Sequence, residues 1–437
     1  MYGSVSITLI LISLKIMIYK VPALLWALIF LKESWNVVSI IKLLKEESVW
    51  NDFLQYKINS GHLSKQEQRK LDDYIQKKEN IPIVERILNK EKFSLPEMKR
   101  INKKNSTKKR TVFIFNEKEN YVLKAIMFLL HKYDYLFAPN LYSFRRNVSV
   151  KLAIDNITKQ NVKIMYGYKV DIQNYFNSVN TNVMIKTLQE KVKDDALLVD
   201  FISAIISEPQ AYFDGKLIEC NKGIMAGVPI SGFLANLYLE ELDRFFYEKG
   251  ILYARYSDDI IVFGKTKEDV NEYKQIIKNF LREHQLTINQ QKEFEMEPNS
   301  KMDFLGFSFI DDKIDLSDVA LQKMKDKMKR KARALLRWKT KNKASNERAI
   351  RAYIRHFNKK FFNNHKENEI TWCRWYFPII TTDNSLHILD DYMIQNIRYI
   401  ATGKHTKANY NLKYETIKEY GFKSLVHAYY NFERLND

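Results

Sequence analysis

The chain has 437 residues, 46% of them hydrophobic and 13% aromatic, which is enough apolar material for two or three domains with real cores and excludes a disordered chain. Its 71 Lys and Arg against 52 Asp and Glu leave a formal charge of +19, which points to a polyanionic partner, either nucleic acid or an anionic membrane. The two cysteines, Cys220 and Cys373, lie far apart and near no His pair, so neither a disulfide framework nor a zinc site is readable and a cytoplasmic setting is expected.

Residues 5–31 are nearly all apolar, interrupted by Lys15, Lys20 and Pro22. Each lysine in the middle of such a span costs roughly 2.5–3.5 kcal/mol on membrane insertion. The segment also lacks the basic start and small-residue cleavage site of a signal peptide. It reads as one or two helices packed on the body or on another subunit. A membrane anchor is the alternative, as is an upstream start ahead of Met17.

Residues 32–104 read as helical, with Val37, Ile40, Ile41 and Leu44 at helical spacing. The basic run 99–110 reads as a solvated loop leading into a strand at 111–115, but Lys109 and Arg110 abut that strand and are placed to meet a phosphate. An amphipathic helix is expected over 119–133. In the run Tyr142-Ser143-Phe144-Arg145-Arg146, Arg145 is a candidate for phosphate contact or base stacking, whereas Phe144 alone reads as core.

Residues 165–171 form a strand candidate that ends in Asp171, where the backbone leaves the sheet. Residues 223–243 begin with a glycine- and proline-shaped loop, and Ser231 or Gly232 starts a helix. Residues 253–263 place Tyr256-Ser257-Asp258-Asp259 between two apolar runs, the pattern of a hairpin with acids at its turn. Two adjacent carboxylates flanked by buried strands call for a cation, and Mg²⁺ suits oxygen ligands, so a metal site and a plain acidic turn both stay open here. A helix follows over 267–283, then Lys292. A short strand with a glycine at Phe304-Leu305-Gly306-Phe307 comes next. From 313 to 360 there are 17 Lys or Arg against 4 Asp or Glu, many at helical spacing, including Lys327, Arg330, Arg333 and Arg337, so a basic helical face is expected.

Seven of these stretches, in this order over 105–309, resemble the blocks of bacterial reverse transcriptases. Residues 110–115 and 141–150 look like the fingers blocks, and 169–179 like the palm block with the first catalytic Asp. Residues 223–242 look like the loop beneath template and nucleotide, Tyr256–Asp259 like the Tyr-x-Asp-Asp signature, 286–292 like the lysine block, and 304–307 like the primer grip. Where intron and retron enzymes usually carry Pro-Gln-Gly, this chain has Met225-Ala226-Gly227, so Ala226 replaces the glutamine and the chain is most similar to the defence-associated, abortive-infection group.

The resemblance implies an α+β right-hand polymerase fold of fingers, a palm with a small antiparallel sheet, and a helical thumb, preceded by a helical N-terminal extension. Residues 1–104 would be that extension, 105–312 the fingers and palm, and 313–437 the basic helical thumb and C-terminal region. It implies catalytic Asp171, Asp258 and Asp259 holding two Mg²⁺ ions (Mn²⁺ is possible), with the carbonyl of Ile172 as a further ligand. Lys109, Arg110, Phe176, Ala226 and Lys292 would meet the nucleotide, Phe176 as a gate against the ribose 2′-OH. Arg145, Gly227, Ser231, Tyr256, Leu305, Gly306, Lys327, Arg330, Arg333 and Arg337 would meet nucleic acid. The implied activity is RNA-directed DNA synthesis on a noncoding RNA in antiphage defence, with dNTPs as substrates, cDNA as product and a homo-oligomer possible. A retron- or intron-type enzyme, a non-catalytic RNA-binding scaffold and, remotely, membrane-surface binding are the alternatives.

Overall fold

The computed structural model describes residues 38–60, 63–102, 109–362, 371–404 and 406–434. The apolar stretch 5–31, with its three readings, lies outside them, as do residues 103–108 of the basic run. Among the described residues no helix is long and apolar enough to cross a membrane.

Four helices, Ile40–Leu43, Glu47–Asn59, Lys65–Gln76 and Asn80–Leu88, open the described chain and bury Trp50, Phe53, Leu71 and Val84. Their start is fixed by Asp195, which accepts from both the Ser39 hydroxyl and the Ile40 N–H while capping the helix Ala196–Ser207. Residues 97–102, expected to be helix or loop, instead form strand β1 (Glu97–Asn102), antiparallel to β2 (Lys109–Ile114). Charge hid this strand: only Met98 of its six residues is buried, so no apolar alternation marks it.

The helix expected over 119–133 spans Glu117–Leu130 and then tightens into a 3₁₀ segment, His131–Leu136. Asn116 sets the earlier start, because its side chain accepts from the Glu119 N–H at 3.0 Å. After β3 (Tyr166–Asp171) come β4 (Gln210–Phe213) and β5 (Lys216–Glu219), which join the first pair as a sheet in the order β2-β1-β4-β5. Helix Ser231–Tyr238 starts at the expected serine, and β6 (Tyr253–Tyr256) and β7 (Asp259–Gly264) make the expected hairpin. Helix Lys267–Glu283 has the expected bounds and a Thr266–Asp269 capping box. With β8 (Phe294–Met296) these strands complete a sheet in the order β6-β7-β3-β8, every pair antiparallel.

That sheet is covered on both faces, with side chains alternating between two cores. Tyr168, Val170, Ile260 and Val262 join the core of the preceding helices. Ala254, Ile261 and Phe263 join a second core, shared with β9 (Met302–Phe304), β10 (Phe307–Ile310), β11 (Lys313–Leu316) and the following helices. Helix Asp318–Lys341 buries Met324, Met328 and Ala332, four residues apart, which turns its basic residues outward. Helices Asn346–Phe362 and Asn384–Thr402 pack beside it. The described residues are therefore α+β, two four-stranded sheets and one three-stranded sheet packed with helices.

Candidate active site

The β3–β7 register sets Asp171, the last residue of its strand, opposite Asp259. Tyr256 pairs with Asp259 across the β6–β7 hairpin, leaving only Ser257 and Asp258 in the turn. The Ile172 N–H donates to the Asp258 carbonyl at 3.1 Å, so the residue after Asp171 is stitched to the turn. Directly opposed residues bring their Cβ atoms to roughly 4.5–5.5 Å, so Asp171 and Asp259 are neighbours and Asp258 follows in the turn at the same end of the sheet.

The lysine block is zipped onto the same end. Asn289 N–H donates to the Asp171 carbonyl and Gln173 N–H to the Thr287 carbonyl, both at 2.8 Å. The Asn289 side chain donates to Asp171 Oδ1 at 3.1 Å, and Lys292 Nζ pairs with Oδ2. Burial pushes the Asp258 carboxyl above its usual range, and the Asp171 charge adds to this, while Lys292 and Arg110 oppose it. Burial likewise raises Asp259; Lys169 opposes the rise and the two neighbouring carboxylates reinforce it. Burial would lower the Lys292 ammonium, but its bond to Asp171 and the surrounding acids hold it above the ordinary lysine value.

The turn is held in a conformation its sequence does not favour. Ser257 has φ 61°, a left-handed value uncommon for a non-glycine residue. Its N–H donates to Ser143 Oγ at 2.9 Å and its carbonyl accepts from Arg255 Nη1 at 3.2 Å. Arg255 is fully buried and grips Asp243, also fully buried, through Nε at 2.8 Å and through Nη2; Tyr253 OH donates to the same carboxylate at 2.9 Å. Asn236 completes the set by donating to the Ser143 carbonyl at 2.7 Å. Sequence reasoning missed these residues. The available signal was an arginine inside a strand read as buried, since charged residues are almost never fully buried without a partner.

The glycine loop is a bracket between two elements. Phe113 of β2 donates to the Ala226 carbonyl at 2.8 Å, and the Ala226 N–H donates to Asn177 Oδ1 at 2.9 Å. Ser231 is buried, its hydroxyl spanning the carbonyls of Ile224 and Met225, so it shapes the loop from within. Gly227 is exposed with φ 99°, and a Cβ there would crowd the Phe113 carbonyl at 3.1 Å.

The other expected contacts divide. Lys109 and Arg110 lie exposed on β2, and Arg110 acts electrostatically on Asp258. Arg145 instead turns inward: its guanidinium donates to the carbonyls of Ala138 at 2.9 Å, Leu141 at 3.1 Å and Asp134 at 3.4 Å, which ties up its own loop. Phe144 is not core; it is exposed and meets Phe176 edge to face, with centroids 6.0 Å apart. Tyr256 is half-buried beside the acids. Leu305 and Gly306, with φ 51° and 91°, form the two-residue turn between β9 and β10. On helix Asp318–Lys341, Lys327 is half-buried and Arg330, Arg333 and Arg337 are exposed, away from Asp171, Asp258 and Asp259 along the chain.

Among the described residues no three His, Cys, Asp or Glu side chains are gathered as a ready metal cluster. The donor chemistry nevertheless fits a hard divalent cation: three carboxylates and a backbone carbonyl, all oxygen, with two of the acids desolvated beside the third.

Residues 101–309 match the family described as reverse transcriptase (RNA-dependent DNA polymerase). Over 180 residues the chain is 27% identical to the group II intron-encoded protein LtrA of Lactococcus lactis subsp. cremoris, covering 40% of this chain and 29% of that protein. Over 141 residues it is 24% identical to a putative COX1/OXI3 intron 2 protein of Saccharomyces cerevisiae, covering 32% of this chain and 16% of the other. The chain thus spans less than a third of the length of these curated relatives. Among solved structures it aligns with telomerase from Candida tropicalis in complex with a fragment of telomeric RNA, at 13% identity, 80% of this chain, 67% of that one and a TM-score of 0.42. Telomerase from Candida albicans aligns at 12% identity, 77% and 64% coverage and a TM-score of 0.40. Residues 101–309 are a reverse transcriptase domain, distantly related to those of group II intron-encoded proteins.

Proposed function

We propose that the chain is an RNA-directed DNA polymerase that copies a noncoding RNA into cDNA from dNTPs, in the cytoplasm, as part of antiphage defence. The observation that carries the polymerase reading is the convergence of Asp171, Asp258 and Asp259 at one sheet end, with Lys292 on Asp171. In the same reading, residues 1–104 are the extension, 105–312 the fingers and palm, and 313–437 the thumb and C-terminal region, and the chain works alone or as a homo-oligomer. The defence role is supported by Met225-Ala226-Gly227 in place of Pro-Gln-Gly, as in the defence-associated group.

Asp171, Asp258, Asp259 and the Ile172 carbonyl would hold two Mg²⁺ or Mn²⁺ ions. When bound, these supply Lewis-acid activation of the primer 3′-hydroxyl and neutralise the leaving pyrophosphate. The chain's own groups do the remainder. Lys292 keeps its proton under the surrounding negative charge and stands ready to orient or protonate the leaving group. Arg110, whose charge acts on Asp258, balances triphosphate charge, with Lys109 beside it. Phe176, five residues after Asp171, opposes a ribose 2′-OH and selects dNTPs. Arg330, Arg333 and Arg337 face the backbone of bound nucleic acid.

Primer extension on an RNA template with dNTPs and Mg²⁺ tests this reading. Extension by the wild type and none by Asp258→Ala, Asp259→Ala is expected; undiminished cDNA from the double variant sinks it. The similarity to LtrA favours an intron-type enzyme as the second reading. Sequencing the RNA and cDNA that copurify separates the two, by returning a dedicated noncoding RNA or an intron.

A further inference from the structure

We infer that Phe144 is a positioning residue for nucleotide selection: it holds the Phe176 ring in the pose that discriminates deoxyribose from ribose. This rests on the proposed polymerase reading with Phe176 as the sugar gate.

Phe144 combines three features that packing alone does not explain. Its backbone is left-handed, at φ 53°, a conformation that a bulky aromatic residue rarely adopts. Such strain persists where the surroundings over-determine it, and it clusters at functional sites. Here both neighbours are pinned: Ser143 is bonded to Asn236 and to the catalytic turn at Ser257, and Arg145 to three carbonyls of its own loop. The ring nevertheless stays 41% exposed. What the ring does meet is Phe176, at 6.0 Å between centroids and 89° between planes, an edge-to-face pair.

The glycine loop and its helix are shaped around the same two residues, which accounts for glycines that a simple helix cap leaves unexplained. A Cβ on Gly232 would lie 2.7 Å from the Phe144 ring, so the helix start leaves room for that ring and no more. A Cβ on Gly223 would lie 2.5 Å from the Phe176 carbonyl, which accepts from the Ile224 N–H at 2.8 Å. Phe176 therefore has its backbone fixed by the loop and its ring braced by Phe144. A gate excludes a single hydroxyl only if its ring cannot swing aside, and Phe144 supplies that restraint from the fingers, on the strand of chain that also anchors the acid turn.

The test is single-nucleotide incorporation, reading kcat/KM for a dNTP and the matching rNTP with Phe144→Ala, Phe144→Leu, Phe144→Tyr, Phe176→Ala and the Phe144→Ala, Phe176→Ala double variant. An aromatic pair contributes an interaction equivalent to about two- to tenfold, so Phe144→Ala should lower the dNTP over rNTP ratio by about that factor. Phe144→Leu should lower it less, and Phe144→Tyr should keep it. The double variant should discriminate no worse than Phe176→Ala alone, because Phe144 acts through that ring. Equal loss for both nucleotides, an additive double variant, or an unchanged ratio in Phe144→Ala and Phe144→Leu while Phe176→Ala relaxes selection would each overturn the inference and leave the gate standing. An unchanged ratio in Phe176→Ala removes the gate reading and this inference with it. Phe144→Tyr, which keeps ring and volume, guards against loss of fold in the smaller variants.

Discussion

Replacing Asp243 with asparagine changes one oxygen for a nitrogen at a fully buried position. Asp243 and Arg255 are both fully buried, and the carboxylate accepts from Arg255 Nε at 2.8 Å, from Nη2, and from Tyr253 OH at 2.9 Å. Burial alone would push the Asp243 carboxyl up, and the Arg255 guanidinium is what opposes this. Breaking such a pair leaves a buried charge uncompensated and costs about 3–5 kcal/mol, a large share of the roughly 5–15 kcal/mol by which proteins are stable. The same guanidinium also donates to the Ser257 carbonyl at 3.2 Å and to the Asn236 carbonyl at 3.2 Å, so it fixes the turn that carries Asp258. Stability and catalysis should therefore separate in a three-variant comparison of Asp243→Asn, Arg255→Met, and Asp243→Leu with Arg255→Met. The single variants should lose about 3–5 kcal/mol in urea unfolding, whereas the double variant, with both charges gone, should regain most of it. Primer extension should stay low in all three, since a misplacement near 1 Å at reacting groups costs about 10²-fold. A double variant that recovered both stability and extension rate would refute the argument, because the pair would then only fill the core.

Three further outcomes follow from the charges of the acid site and of a separate basic groove. The Asp258 and Asp259 carboxyls are raised in the folded protein, so the fold binds more protons than the unfolded chain between the ordinary and the raised values, and stability falls as pH rises through that window. Asp258→Asn and Asp259→Asn should therefore melt higher than wild type at neutral pH without divalent ions, with the gain vanishing below the ordinary carboxylate range; equal melting at both pH values contradicts this. Lys292→Met removes the ammonium paired with Asp171 and should lower kcat by about 10²- to 10⁴-fold, the range for a lost general acid, while template affinity in anisotropy stays within about twofold of wild type, one exposed charge among many. Arg351, Arg355 and Lys359 line one groove with Tyr420 and Lys423. Replacing all three with glutamine should flatten the slope of log K against log salt for single-stranded RNA by about 2, at roughly 0.7 per phosphate contact; an unchanged slope assigns the groove no contact.

What the sequence made legible was what depends on neighbours along the chain. The β6–β7 hairpin shows in two apolar runs around a polar tetrad, Asp171 in its place at a strand end, and helix Lys267–Glu283 in periodicity with a cap. Strand β1 was hidden because five of its six residues are exposed. Arg145 misled for a related reason: an arginine among aromatics suits a phosphate contact and a set of loop carbonyls equally, and the backbone path decides between them. The supports of the acid turn were illegible for a stronger reason. Ser143 meets Asn236 across 93 positions and Ser257 across 114, separations at which residue type alone carries no pairing information.

Those supports explain how a turn with two unfavourable features persists. Ser257 sits in a left-handed conformation without being glycine, and Asp258 and Asp259 are desolvated beside a third acid. Each feature alone would favour a relaxed turn that carried its carboxylates into water. Relaxation would have to break the Ser143 bond at the Ser257 N–H, the Arg255 bond at its carbonyl and the Ile172 bond at the Asp258 carbonyl, and so leave the buried Ser143 hydroxyl and the Nη1 of the buried, Asp243-paired Arg255 without these partners. The buried ion pair adds little net stability by itself. Its effect is to make the relaxed turn worse than the strained one, which fixes Asp259 opposite Asp171, with Asp258 beside it in the turn, before any substrate arrives.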